Sequence, residues 1–330
     1  MKATAIANAN IALVKYWGKR NKELILPQNS NISMTLDGLN TITTVEFNEK
    51  YDEDIFILNG KKITGENLKR IINTLDIVRE IAGVELKAKV VSKNNFPTES
   101  GLASSSAGGA ALALAATKAL DLNLDSKELS IIARRNSGSA TRSILGGFVE
   151  WIRGEKEDGS DSYTKQIVPE DYWQEFRMIV TILTSKKKKI KSRAGMAQTV
   201  DTCPYYKCWL ETINDDLEKV RKGILKKDFT LVGKTAEQNC LKMHALMITT
   251  KPAIIYWEPI TLNIIHSILN WREEGLECYF TIDAGPHVKI MCMEKDVKEI
   301  QKRLSKIKGI LETRTCKPGE GVKLINKHLF

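Results

Sequence analysis

Residues 94–122 read NNFPTESGLASSSAGGAALALAATKALDL, a loop of small residues that runs directly into a long Ala/Leu helix. Ser104, Ser105 and Ser106 are each suited to cap that helix, because a serine oxygen can accept one of its unpaired first-turn N–H groups. An all-round apolar helix must be covered by other elements, so the chain has to build a core around it. The loop before it has a second property. Small side chains leave several backbone N–H groups open to close approach, and the helix dipole points its positive end at whatever lies there. A triphosphate needs such a cradle. The loop lacks the lysine of G-x-x-x-x-G-K-[ST], which excludes that nucleotide fold. Taken alone, an alanine-rich core helix with a flexible entry is the weightier reading.

With 330 residues, 42% apolar and 27% charged, the chain is long enough for about two domains and has the balance of a folded protein. The net charge of +10 is spread along the sequence, with a run only at 186–189. Nucleic-acid binders concentrate basic residues and interleave aromatics, so a nucleic-acid partner is not expected, whereas a diffuse positive field suits small polyanions. Six cysteines without C-x-x-C spacing or nearby histidines indicate neither a zinc site nor a disulfide framework, and a reducing cytoplasm is the simplest setting. The N-terminal segment has no apolar core of signal-peptide length. The longest small-apolar stretch, 110–116, falls far short of the ~20 residues of a membrane helix, so no membrane partner is expected.

Strands are predicted over 3–16, 41–47 and 54–58, with Asn59-Gly60 as a tight hairpin turn. A helix over 66–82, capped by Thr64, follows from Leu68, Ile71, Ile72, Leu75 and Val78 on one face, and 86–92 returns as a strand. Asp125 with Glu128 three residues on forms a capping-box pattern for a helix ending before Ser137, and 147–153 reads as a strand. The apolar run from Met178 is a buried strand that opens a more helical second half, with a boundary near Pro169. Helices are expected through Leu210 to Ile224 and Leu262 to Leu269, then strands at 278–284 and 288–293 around Gly285-Pro286.

Asp283, in FTIDAGPH, is an acid at the end of an apolar strand. Desolvation would raise its pKa and a nearby cation such as Lys15 would lower it, leaving it ready to accept or orient a hydroxyl proton. An ordinary turn-capping aspartate fits the same context better when it is read alone. Lys15, Lys19 and Arg20 around Tyr16-Trp17-Gly18, Arg142 after SGSAT, and Ser192-Arg193 are donor clusters suited to anions, though each also reads as solvated charge. The four-lysine run reads as a solvated loop. His244 and His287 are too isolated for a metal or a triad, and packing or hydrogen bonding accounts for them.

Taken in order, NIALVKYWGKR, NNFPTESGLASSSAGG, SGSATRS with GGFVEW, SRAGM, MHA and FTIDAGPHVK resemble the diphosphomevalonate decarboxylases of the GHMP kinase superfamily, over about residues 5–289. The resemblance implies an α+β GHMP kinase fold, with an N-terminal ATP-binding domain over 1–170, a C-terminal α/β decarboxylase domain over 171–330, and a cleft between them. It implies that Thr98, Gly101, Leu102, Ala103, Ser104, Ser105 and Ser106 hold the nucleotide phosphates, with Ser92 and Asn94 near the base. Tyr16, Lys19, Ser137, Gly138, Ser139, Arg142, Ser192, Arg193 and Met196 match positions that grip the substrate's carboxylate or diphosphate. Asp283 matches the catalytic aspartate, Lys15 the lysine beside it, and Arg142 the group that holds the carboxylate.

The implied reaction uses ATP and Mg²⁺ to phosphorylate the tertiary hydroxyl of a phosphorylated mevalonate and then expels phosphate and CO₂. The metal's protein ligands are unknown from the sequence, and a homodimer is the assembly the resemblance suggests. Similar scaffolds act on the 5-monophosphate or the 3,5-bisphosphate, stop at 3-phosphorylation, or serve as metabolite-binding modules. The trio Asp283, Lys15 and Arg142 favours a complete decarboxylase over a kinase that stops at a phosphorylated product, and the 5-diphosphate is the leading substrate. Departures from the family pattern are Glu99-Ser100 in the phosphate loop, Asn8 for a frequent proline and His287 for a frequent asparagine.

Overall fold

A computed structural model of the protein describes residues 1–96, 104–184 and 188–330. The first half comprises β1 (Lys2–Val14), β2 (Lys19–Asn21), β3 (Leu26–Pro27), β4 (Asn31–Phe47), β5 (Ile55–Leu58) and β6 (Lys61–Lys62). It continues with α1 (Glu66–Ala82), β7 (Ala88–Asn94), α2 (Ser104–Ala119), α3 (Ser126–Asn136), a 3₁₀ turn (Gly138–Ser143), β8 (Phe148–Trp151) and β9 (Thr164–Val168). The second half comprises β10 (Phe176–Ile182), α4 (Ser192–Thr202), α5 (Tyr206–Lys226), α6 (Phe229–Ile248) and α7 (Pro259–Glu273). It ends with β11 (Cys278–Ile282), β12 (Val288–Met293), α8 (Val297–Leu304), β13 (Glu312–Cys316) and β14 (Lys323–Leu324).

Two sheets organise these elements. The larger runs β14-β1-β4-β7-β5-β6, with β8 also on β4 and β9 on β8. The smaller runs β11-β12-β10-β13 and is antiparallel throughout. The C-terminal segment therefore returns to the first sheet, where β14 pairs with β1. Helix α2 packs on β1 and β4, and its Ala110, Ala111, Ala113, Ala115 and Ala116 are fully buried. Small side chains let the helix backbone approach the sheet, so the segment is a core helix and also delivers its N-terminus to a cavity. Beneath the two sheets lies a shared core that joins Ile11, Leu13 and Met34 to Trp173, Phe176, Trp209 and Met243.

Local chemistry accounts for several boundaries. Asn59 and Gly60 carry φ of 49° and 79° between Leu58 and its partner Lys61, the left-handed pair of a type I′ hairpin. Asp125 and Glu128 form the reciprocal capping box, a device worth about 1 kcal/mol. Thr64 does not cap α1. Gly65 is the residue before the helix, in a backbone conformation open chiefly to glycine, and no side-chain cap is present. Strand β4 is also ten residues longer at its start than the sequence suggested, because Asp37-Gly38, with Gly38 at φ 86°, carries the strand through a register shift instead of ending it. Among the described residues no helix is long and apolar enough to cross a membrane.

Candidate active site

Strand β1 ends at Val14, and the chain then aims Lys15 at the turn between β11 and β12. Lys15 Nζ donates to Asp283 Oδ1 at 2.7 Å and to the Ala12 carbonyl at 2.8 Å. A second ammonium, Lys289 Nζ, lies 3.6 Å from Asp283 Oδ2. The lysine side chains are 1% and 0% exposed, whereas the Asp283 side chain keeps 24%. The carboxylate is thus the face this cluster presents to a ligand. Burial pushes the Asp283 carboxyl up, but Lys15, Lys289 and Arg142 outweigh it and hold the group well below the usual carboxylate range. Burial also lowers the Lys289 ammonium, against the pull of Asp283. At an effective dielectric near 20, unit charges about 4 Å apart attract by roughly 4 kcal/mol, comparable with the cost of dehydrating each. Removing one partner would therefore leave an uncompensated buried charge.

Arg142, on the 3₁₀ turn after α3, is buried and held by two asparagines. Its Nε donates to Asn10 Oδ1 at 3.3 Å and its Nη1 to Asn31 Oδ1. Both acceptors are neutral, so the guanidinium keeps its charge for a ligand. Burial brings it down to about 10, and Asp283 works in the opposite direction. Tyr16 sets its ring edge against Trp151 at 4.9 Å, and its Oη is buried without a hydrogen-bond partner among the described residues. Burial drives that phenol up, while Arg142 and Arg193 draw it down. A side chain at Gly138 would meet both rings at 2.9 Å, which explains a glycine there. Ser137 Oγ lies 3.5 Å from Ser105 Oγ and 3.4 Å from Ser139 Oγ, so the SGS turn faces the start of α2. The Ser139 carbonyl accepts from Asn10, tying this turn to β1.

Lys19 begins β2 beside the cations of Arg193, Arg70 and Lys22, and burial is the main cause of its fall to about 8. Arg193 is exposed on α4 and acts on Tyr16 and Lys19 through its charge. Ser192 accepts from Lys188 Nζ at 2.8 Å, and Met196 is buried in the core that includes Trp17. The solvated-loop reading of the lysine run fails for Lys188. Its ammonium also donates to the Ala284 carbonyl at 2.8 Å, next to Asp283, and burial brings it down to about 8. The convergence of α4 with the β11–β12 turn, unseen in sequence, covers it. Lys189 is exposed, and residues 186 and 187 lie outside the described residues.

At the other end, a cavity of about 160 Å³ lies between α1, β5, β7 and the first turns of α2. Ser92, Asn94, Ser104 and Ser105 line it, with Phe56, Leu58 and Ile71 as apolar walls. Ser92 Oγ pairs with Thr43 and Asn94 Oδ1 accepts from Thr41, so these polar groups are fixed. Ser106, the third residue of α2, is fully buried. Thr98, Gly101, Leu102 and Ala103 lie outside the described residues, as does Glu99. Among the described residues no cluster of three carboxylate, histidine or cysteine groups could hold a metal.

Lys289, Lys188, Asn10 and Asn31 were not read as site residues from the sequence. The only trace of Lys289 was a lysine inside VKIMCM, an otherwise apolar and buried strand, where a charge needs a partner. His244 and His287 are packing residues: His287 Nδ1 accepts from the Leu183 N–H at 3.1 Å, and the His244 ring lies 4.7 Å from Trp257.

A cavity at a helix N-terminus and, separately, a carboxylate ringed by buried cations are the parts of a small-molecule phosphotransferase of the GHMP kinase type. The comparisons specify the branch. Residues 7–164 match the diphosphomevalonate decarboxylase-like N-terminal domain, and 178–322 the mevalonate 5-diphosphate decarboxylase C-terminal domain. The diphosphomevalonate decarboxylase of Candida albicans is 36% identical over 317 residues, covering 92% of this chain and 88% of that one. The mevalonate diphosphate decarboxylase structure from Staphylococcus aureus superposes with a TM-score of 0.92 at 39% identity, over 98% of each chain. A complex described as MDDEF with MVAPP, AMPPCP and magnesium does so with a TM-score of 0.92 at 40% identity, over 98% of this chain and 99% of that one. The chain belongs to the diphosphomevalonate decarboxylase family.

Proposed function

We propose that this chain catalyses the ATP-dependent decarboxylation of mevalonate 5-diphosphate to isopentenyl diphosphate, releasing ADP, phosphate and CO₂, a step of the mevalonate pathway in isoprenoid biosynthesis. The observation that carries the reading is the Asp283 carboxylate, pinned at 2.7 Å by Lys15 and left partly exposed. In this reading residues 1–170 form the ATP-binding domain and 171–330 the decarboxylase domain. Asp283 orients the tertiary 3-hydroxyl and takes its proton as the oxygen bonds to the γ-phosphorus. A weak base suffices because the hydroxyl becomes acidic only as that bond forms. Lys15 keeps Asp283 ionised and offsets charge on the transferring group.

Ser92 and Asn94 border the base, and the loop through Thr98, Gly101, Leu102 and Ala103 to Ser104, Ser105 and Ser106 holds the phosphates. When bound with the nucleotide, Mg²⁺ would supply charge neutralisation at these phosphates. Arg142 clamps the substrate carboxylate, whose two oxygens match a planar guanidinium. Tyr16, Lys19, Ser137, Gly138, Ser139, Ser192 and Arg193 surround the diphosphate, and Met196 packs beneath them. Phosphate then leaves from the tertiary carbon, and the breaking C–C bond supplies the electron pair of the alkene as CO₂ departs.

Six free cysteines, five of them buried, support a cytoplasmic setting. We infer a homodimer, which light scattering on the purified chain tests. The activity itself is tested by incubating the protein with Mg-ATP and mevalonate 5-diphosphate, 5-monophosphate or 3,5-bisphosphate and measuring ADP and CO₂. The reading expects both products, in equal amounts, from the 5-diphosphate; ADP without CO₂ overturns it.

A further inference from the structure

Helix α6 holds Lys15 and the residue immediately before Asp283 with groups of its own. Toward β11 it presents Glu237, Cys240 and His244, spaced i, i+3 and i+7 on one helical face. Strand β11 is an edge strand, and these side chains occupy its free edge in place of another strand. Glu237 Oε2 accepts from the Phe280 N–H at 3.0 Å, Cys240 Sγ accepts from the Ile282 N–H at 3.1 Å, and His244 Nε2 lies 3.3 Å from the Ile282 carbonyl. Ile282 is the residue immediately before Asp283.

The adjacent residue Asn239 faces the other way. Its Oδ1 accepts from the Lys15 N–H at 2.8 Å, a donor left without a strand partner where β1 ends. Its Nδ2 donates to Asp216 Oδ2 at 2.7 Å, and Lys242 Nζ holds the two Asp216 oxygens at 3.0 and 2.8 Å. Asn239 and Asp216 are both buried, and the chain Lys242–Asp216–Asn239 fixes which way the amide points. Asn29 Nδ2 donates to the Lys15 carbonyl at 2.9 Å, so the peptide groups on both sides of Lys15 are held.

We propose that Asn239 is a positioning residue for the reaction, fixing Lys15 against Asp283 while Cys240 and His244, on the same helix, fix the strand end that carries Asp283. The Lys15 side chain could reach many points, but a backbone pinned at both peptides leaves its ammonium one short path to the carboxylate. Two neighbouring residues of one rigid helix thus set a distance between groups 268 positions apart in the chain. The proposal rests on the catalytic reading of that pair.

The test uses Asn239→Ala, and a swap of Asn239→Asp with Asp216→Asn in which residue 239 still accepts from the Lys15 N–H and residue 216 now donates to it. Asn239→Ala should lower kcat between about 10- and 100-fold, with KM for ATP within about 2-fold, because a misplacement near 1 Å can cost 10²-fold. Crystals of this variant should show the Lys15 Nζ to Asp283 Oδ1 distance lengthened beyond about 3.5 Å, out of hydrogen-bond range. The swap should return that distance and recover kcat to within about 5-fold of wild type. A lower Tm with unchanged kcat and unchanged distance in Asn239→Ala would make Asn239 structural only. Should Asn239→Ala not fold, the swap decides alone: an intact distance with kcat near wild type supports the proposal, and an intact distance with kcat still low overturns it. Absence of turnover in the wild type would instead defeat the catalytic reading, and the crystallographic distances would still report on Asn239.

Discussion

On the proposed reading, the two ends of the active site recognise anions by different means. At the nucleotide end, α2 offers serines, glycines and backbone N–H groups around a cavity whose one lining cation among the described residues is Arg70. At the other end, Lys15, Arg142, Lys188 and Lys289 are buried or nearly so, and they converge on a single carboxylate. Neutral N–H groups and a helix dipole bind a phosphate chain without dehydrating any charged side chain, which suits a ligand that arrives with its own cation. Buried cations are expensive to assemble, and each needs a counter-charge. That cost is justified where charge must be controlled during bond making and breaking. The cation-rich end should therefore govern turnover and the neutral end nucleotide affinity.

The largest expected effect is at the centre of the charged end. Asp283→Asn should lower kcat by at least about 10²-fold while nucleotide binding, followed by analogue titration, changes little. Near-wild-type turnover would reduce Asp283 to a turn cap. Next, Arg142→Lys keeps the charge but loses the planar fork, and should lower kcat roughly 10- to 100-fold with KM for ATP unchanged in steady-state assays. A rise confined to KM for ATP would break the division between the ends.

The neutral end is sharpened by Gly108→Val. Gly108 lines the nucleotide cavity and an added Cβ there meets nothing within 4 Å, so the first side-chain carbon fits and the branches of valine narrow the cavity. KM for ATP should rise about 10-fold with KM for the phosphorylated substrate steady.

The smallest effect is in pH. Lys19 and Lys188 are both brought down to about 8 by burial, so each loses its charge as pH rises through that value. KM for the phosphorylated substrate should climb several-fold from about pH 7.5 to 9 while KM for ATP stays flat. The depressed Asp283 carboxyl stays ionised throughout and adds no fall in kcat between about pH 5 and 7. A flat substrate KM would remove Lys19 from substrate binding.

Elements set by neighbours in sequence were legible. The Asn59-Gly60 hairpin follows from two residues that accept positive φ, and the start of α3 from Asp125 and Glu128. The amphipathic faces of α1 and α5 showed in their spacing. Of helix α6 only the helical setting of His244 showed, since the helix is buried on several sides and its apolar residues do not form one stripe. The first part of β4 was hidden by Asn31, Ser33 and Thr35, polar residues buried between sheet partners. Lys188 read as one of four similar lysines, and nothing local separates it from exposed Lys189.

By itself the sequence determined a serine- and glycine-rich loop entering a buried helix, an aspartate at a strand end, and the order of motifs that ties them to one family. The resemblance already set Lys15 beside Asp283, and the tertiary structure decided which further charges join them. Asp283, Lys15 and Arg142 come from three distant segments, and the turn that brings Lys188 beside them, the strand that buries Lys289, and the asparagines that aim Arg142 and Lys15 are products of packing. Backbone conformation depends on residues a few positions apart, whereas the protonation and reach of a buried charge depend on every group folded around it.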